Sequence, residues 1–193
     1  MGALPKLVVT EKLDVSGHTK IDLGCGNNKR EGFTGVDRIQ FGATEVVLDF
    51  GKDPWPWADG QIEEAHSSHS LEHLNQIERI HFANELCRVL KVGGKCQIIT
   101  PHWCAARAYG DPTHQWPPVS EWLYLYWNKV WRMQNAPHSD GEHWDKGYTC
   151  DFDFTSGNGL HPDLLVRAQD YQQWAMQFLK EAVTDLHVTV TKR

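Results

Sequence analysis

No stretch of the sequence approaches the roughly 18 to 20 consecutive apolar residues that a membrane-spanning helix needs. The opening MGALPKLVVTEKLDVSG has no charged n-region leading into an apolar run, so no secretory leader and a cytoplasmic protein are expected. The five cysteines, Cys25, Cys87, Cys96, Cys104 and Cys150, are odd in number and form no CxxC pair. That excludes a disulfide framework and a zinc-thiolate site and leaves reduced thiols. Positive charge is in deficit, 19 Lys and Arg against 25 Asp and Glu for a net charge of -6, so no global field draws the chain to nucleic acid or anionic lipid. No internal repeat, low-complexity tract or linker breaks the sequence. What is plentiful is tryptophan and histidine, with 9 and 11 copies in 193 residues. That length suits one domain, 1–193.

The hydrophobic pattern gives about seven strands. Short apolar segments at 20–23, 35–37, 45–50, 62–68 and 95–100 come first. Between the last two lies the clearest helix: Asn75 can cap it, Glu78 stands three residues on as in a capping box, and Ile80, Ala83, Leu86 and Leu90 recur at helical spacing before Gly93-Gly94. Residues 101–118 hold four prolines and read as a long loop, followed by a helix over 119–133, a second polar loop over 135–146 and a strand over 148–155. Pro162 opens a long closing helix that carries apolar residues at helical spacing as far as Ala182, and 187–191 alternates as a last strand. The pattern predicts an α/β protein with a doubly wound, mostly parallel seven-stranded sheet, its ligands at the carboxyl ends of the strands.

Chemistry concentrates first around Asp22-Leu23-Gly24-Cys25-Gly26, where residues without side chains follow a strand and let a ligand approach the backbone. A dinucleotide fingerprint wants a third glycine where this chain has Lys29, and the P-loop ending is absent, so NAD and ATP lose support. Asp37 closes the next strand, where a carboxylate can accept hydrogen bonds from both hydroxyls of a ribose. Adenosine without a pyrophosphate suits the pair. Singly, each residue has a plainer reading, Gly24 and Gly26 as an ordinary turn, Asp37 as a cap and Asp49 as a surface acid.

Taken in order, IDLGCGNN, GVD, VVLDF, SSHSLEHL and ELCRVLKVGGKCQIITP resemble the class I S-adenosylmethionine-dependent methyltransferases, over about residues 19–101. The resemblance implies a Rossmann-like fold with the last strand antiparallel, and S-adenosylmethionine as cofactor. It places Asp22, Gly24, Cys25 and Gly26 at the methionine and sulfonium end, Asp37 and Arg38 at the ribose, and Asp49 with the Phe50 backbone at the adenine. Ser68 and His69 would stand beside the transferable methyl. Only fifteen positions separate Asp22 from Asp37, so the helix that normally follows the glycine loop must be very short or replaced by a turn. Residues 1–101 form the cofactor half on this reading, 102–146 the substrate or lid region, and 147–193 the closing strands and helix.

Methyl transfer is an in-line displacement that positioning alone can drive, and a hydroxyl or protonated amine acceptor adds the need for a base. His69, His73, His114 and Asp111 are the candidates, with His138 and His143 as further residues of the substrate side. The same histidines could instead orient loops. No standard ligand spacing is present, so no metal is expected. Six of the nine tryptophans fall between 103 and 144; Trp127 and Trp131, at helical spacing, read as core, while Trp103, Trp116 and Trp144 on loops could stack on a substrate. The function implied is methyl transfer to a small or medium-sized oxygen or nitrogen acceptor. A nucleic-acid methyltransferase and a non-catalytic binding module of the same fold are the alternatives. Against the first of these stand the missing (D/N)PP(Y/F/W) tetrad, the missing Pro-Cys nucleophile and the thin supply of basic residues.

Overall fold

The structure, a computed structural model, describes residues 14–193. Five strands run parallel: β1 (Lys20–Leu23) lies between β2 (Thr34–Asp37) and β4 (Ile62–Ser68), β2 pairs with the two-residue edge strand β3 (Val46–Val47), and β4 pairs with β5 (Leu90–Pro101). The chain then crosses to β6 (Phe152–Leu160) and returns as β7 (Val183–Lys192), which inserts antiparallel between β5 and β6. The sheet order is β3-β2-β1-β4-β5-β7-β6, with the last strand antiparallel as expected.

Alternation along the central strands decides what covers the sheet. Ile21, Leu23, Ala65, Cys96, Ile98, Leu186, Val188 and Val190 are buried on one face. Helix α1 (Gln76–Val89) packs there through Phe82 and Leu86. The opposite face carries Lys20, Asp22, Glu64, His66 and Gln97, tied together by ion pairs and hydrogen bonds such as Lys20 to Glu64 at 3.0 Å and Arg30 to Gln97 at 2.8 Å. An apolar helix layer has nothing to bury on that side. Of the crossovers between parallel strands only β4 to β5 contains an α-helix; the links after β1, β2 and β3 are turns, as the short spacing between Asp22 and Asp37 requires.

Helix α1 starts where the sequence predicts, because Asn75 Oδ1 accepts from the Ile77 and Glu78 amides while Glu78 Oε2 accepts from the Asn75 amide at 2.9 Å. It ends earlier than predicted, at Val89. Leu90 is already extended, and Gly93 and Gly94 belong to β5. The 101–118 loop holds one short helix, α2 (Arg107–Gly110).

The helix predicted over 119–133 is two: α3 (Glu121–Trp127) and α4 (Lys129–Asn135). Asn128 divides them, its side chain accepting from the Trp131 amide as an N-cap and donating to the Phe152 carbonyl. From α3, Tyr124 and Trp127 pack into the core, with the Trp127 ring 6.3 Å from Phe82 and 5.8 Å from Phe152. Each such side chain contributes about 1.5–3 kcal/mol of burial.

The closing helix is also divided, into α5 (Pro162–Leu165) and α6 (Gln169–Phe178), where Ala168 is extended and the Gln172 side-chain amide donates to the Leu164 and Arg167 carbonyls. The strand predicted over 148–155 runs instead over β6, because the polar stretch 156–159 finds partners along β7. Among the described residues no helix is long and apolar enough to cross a membrane.

The 135–147 loop is fastened by a buried ion pair. Arg132, with no exposed side-chain surface, donates to Asp140 Oδ2 at 2.6 Å and to the carbonyls of Tyr126 and Cys150. Removing one partner of such a pair strands a charge without solvent. Asp140→Ala is expected to lower unfolding stability by about 3–5 kcal/mol in a denaturant titration.

Candidate functional site

At the carboxyl ends of the strands two cavities meet. The first, about 250 Å³, is lined by Gly24 after β1, by Asp37, Arg38 and Phe41 after β2, and by Asp49, Phe50 and Lys52 after β3. His69, Ser70, His73 and Thr113 close its other side. The second, about 740 Å³, shares His69 and His73 and adds Glu72, Pro101, Arg107, Asp111 and His114.

Gly24 and Gly26 both take positive φ, 77° and 52°. At Gly24 the need for glycine is double: a Cβ would sit 1.8 Å from the Ser70 hydroxyl, which donates back to the Gly24 carbonyl. Gly26 has open space beside it, and its amide donates to Asp37 Oδ2 at 3.0 Å. Asp37 Oδ1 accepts from the Ile39 amide. The carboxylate is therefore held by two backbone donors at the rim of the first cavity.

Lys52 bridges Asp49 at 3.4 Å and Glu78 at 3.2 Å across the far end, and Glu78 and Asp49 push its ammonium pKa up. Phe50 is buried edge-on against Phe82 and supplies the apolar wall.

Three residues read as cofactor contacts stand elsewhere. Asp22 lies under the glycine loop, its Oδ2 accepting from the Arg30 amide and its Oδ1 2.7 Å from His66 Nδ1, so it anchors the loop from the polar face of the sheet. The Cys25 side chain turns inward toward Ala43 and Thr44, and burial pushes its thiol pKa up. Ser70, not Ser68, lines the cavity; the Ser68 carbonyl accepts from the Ser70 hydroxyl.

All four residues named for acid-base work border the second cavity. His69 has positive φ, 52°, a conformation uncommon outside glycine, and its amide donates to the Ile99 carbonyl. Its ring lies between two carboxylates, Nδ1 3.4 Å from Glu72 and Nε2 3.7 Å from Asp185, which itself pairs with Arg107. His73 Nδ1 is 2.9 Å from the Thr113 hydroxyl, which donates to Asp111 Oδ1 at 2.7 Å. The Thr113 hydroxyl and amide hold the Asp111 carboxyl below the usual carboxylate range.

Arg79 sets the distance between these groups. It is 3% exposed, pairs with no carboxylate among the described residues, and donates instead to the carbonyls of Leu71, Glu72, Gln115 and Pro117. The turn that carries Glu72 and His73 is thereby fixed to the loop that carries His114. Sequence reasoning missed Arg79, Thr113 and Ser70; an arginine on the apolar side of α1 was the one local signal.

Trp103 and Trp116 line a neighbouring cleft of about 560 Å³ with Tyr109 and Trp122, while Trp127 is core and Trp144 lines neither. His138 and His143 border none of these cavities.

The fold matches solved structures. A methyltransferase from Archaeoglobus fulgidus, described as S-adenosylmethionine dependent, superposes with a TM-score of 0.59 at 17% identity, over 92% of this chain and 87% of that one. The fold is that of the class I methyltransferases. A geranyl diphosphate methyltransferase in complex with S-adenosylmethionine gives 0.50 at 17% identity, over 92% and 79%. A complex of the Haloferax volcanii Trm112 methyltransferase activator with a methyltransferase gives 0.50 at 14%, over 92% and 82%. No family model and no curated protein sequence matches the chain. At these identities the likeness concerns the methyltransferase fold alone.

The two glycines should separate in mutagenesis. Gly26→Ala is expected to cost about 1–2 kcal/mol through its left-handed backbone alone. Gly24→Ala should cost more, and Ser70→Gly in the same chain should restore part of that excess, as thermal melts of the single and double variants would report.

Proposed function

We propose that the protein is an S-adenosylmethionine-dependent methyltransferase acting on a small or medium-sized oxygen or nitrogen acceptor. The observation that carries this reading is the pair of cavities with one shared wall: an adenosine-suited cleft opens on one side of His69 and His73, and a larger cavity on the other. The residues of the first cavity fit the cofactor. Asp37 is oriented by two backbone amides with its carboxylate at the cavity, Phe50 offers an apolar surface, and the loop at Gly24 and Gly26 projects no side chain. In this assignment Asp37 takes the ribose hydroxyls, Asp49 and the Phe50 backbone the adenine, and the glycine loop the methionine end.

When bound, the cofactor supplies an electrophilic methyl group on a sulfonium. The chain itself orients the acceptor. Holding an acceptor in line can supply roughly 7–11 kcal/mol of the barrier. His69, between Glu72 and Asp185, is the side chain placed to receive the proton of a hydroxyl or amine acceptor at an imidazole nitrogen. In this reading the chain is a single domain in which residues 102–146 form the acceptor side or lid beside the cofactor half. Five free thiols favour a reducing compartment, in keeping with the cytoplasm.

Calorimetry with S-adenosylhomocysteine is expected to give micromolar binding, near -8 kcal/mol, lost in Asp37→Ala. Unchanged binding in that variant would remove the assignment. After an acceptor is found by screening metabolite extracts with a labelled methyl donor, His69→Ala should keep S-adenosylhomocysteine affinity and lower turnover by about 10²–10⁴-fold. Full turnover in His69→Ala, His73→Ala and His114→Ala alike would leave catalysis to positioning alone.

A further inference from the structure

We propose that Glu72, His73 and His114 form a binding site for one divalent transition-metal ion at the wall of the second cavity. One ligand atom from each lies within 4.8 Å of the others. Metal bonds of about 2.0–2.2 Å would draw these atoms closer together through side-chain rotation.

Hydrogen bonding sets the imidazoles in the form that ligates. The Thr113 hydroxyl gives its proton to Asp111 Oδ1, because a carboxylate only accepts, so its oxygen is left to accept from His73 Nδ1. His114 Nδ1 faces the Ala108 carbonyl at 3.3 Å, which also only accepts. Both rings therefore carry their proton on Nδ1 and turn a lone pair outward on Nε2. An Asp111-Thr113-His73 chain of this kind is the outer support that metal-binding histidines use.

The carboxylate gives an independent reason. Glu72 is 4% exposed, and its Oε2 is buried without a hydrogen-bond partner. Such a group costs about 1–3 kcal/mol or more if nothing compensates it. His114 Nε2 also stands 3.8 Å from Asp111 Oδ2, so two acceptors confront each other across a gap that a cation would bridge. Two imidazoles with one carboxylate suit zinc, manganese, iron or cobalt better than magnesium or calcium, which prefer oxygen donors. All three ligands line the cavity, so an ion held there is open to an oxygen-bearing acceptor, whose bound hydroxyl it would acidify. Glu72 and His73 are adjacent but His114 lies 41 positions on, which is why no spacing motif announces the set.

The test uses untagged, chelator-treated protein titrated with Co²⁺ by visible absorption and with Zn²⁺ by calorimetry. The expected result is a single site with micromolar or tighter affinity, weakened roughly 100-fold or more in His114→Ala and in Glu72→Gln, and about 10- to 100-fold in Thr113→Val. Circular dichroism shows whether each variant is folded. Thr113→Val, at an exposed position, keeps the test intact if Glu72→Gln does not fold. Absence of a cobalt band up to millimolar concentration, or a site that survives His114→Ala, would overturn the proposal. Metal binding should persist in Asp37→Ala, so the outcome is separable from that of the methyl-transfer reading.

Discussion

The guanidinium of Arg79 is held inside the protein by four backbone carbonyls, two from the turn after β4 and two from the loop after β5. Neither segment has regular structure long enough to hold its own shape, since one is a three-residue turn of 3-10 helix and the other is rich in proline. A buried cation must keep its acceptors, because each lost bond leaves charge without water. Arg79 is itself fixed on the long helix α1, so the most rigid element of the parallel half dictates how its two most irregular loops face one another. The direct bond from the Gln115 amide to the Glu72 carbonyl closes the same joint.

Below that joint, the sheet divides its faces by chemistry. The apolar face collects α1, α3 and the aromatic cluster of Phe82, Trp127 and Phe152, which fixes strand order and register. The polar face carries Asp22 and His66, which reach under the glycine loop. A residue that looks like a ligand contact in sequence is thus a support, one layer removed from the cavity whose shape it maintains.

The parallel half was legible in sequence because its signals are local: a strand followed at once by Gly24, an acid closing the next strand, and the Asn75 capping box each act within a few residues. The second half was not. Asn128 breaks a helical pattern because its side chain finds the Phe152 carbonyl, and Gln172 allows a break before α6 by satisfying carbonyls upstream. Both outcomes depend on partners that local periodicity does not register. The site shows the same division. Asp37, Asp49 and His69 follow from strand ends, whereas Ser70, Thr113 and the meeting of Glu72 with His114 arise only once Arg79 has brought two loops together. The tryptophans divide as their spacing suggests for Trp127, in the core, and for Trp103 and Trp116, on a cleft beside the site.

Gly24 and Ser70 touch so closely that no side chain fits between them, and Ser70 follows His69, the residue common to both cavities. The glycine loop and the turn after β4 therefore cannot shift independently. An occupant of the first cavity that displaces the loop presses on the turn, and an occupant of the second that displaces the turn presses on the loop. Were ligands to occupy both cavities, any change of affinity that one imposed on the other would be returned by the same factor.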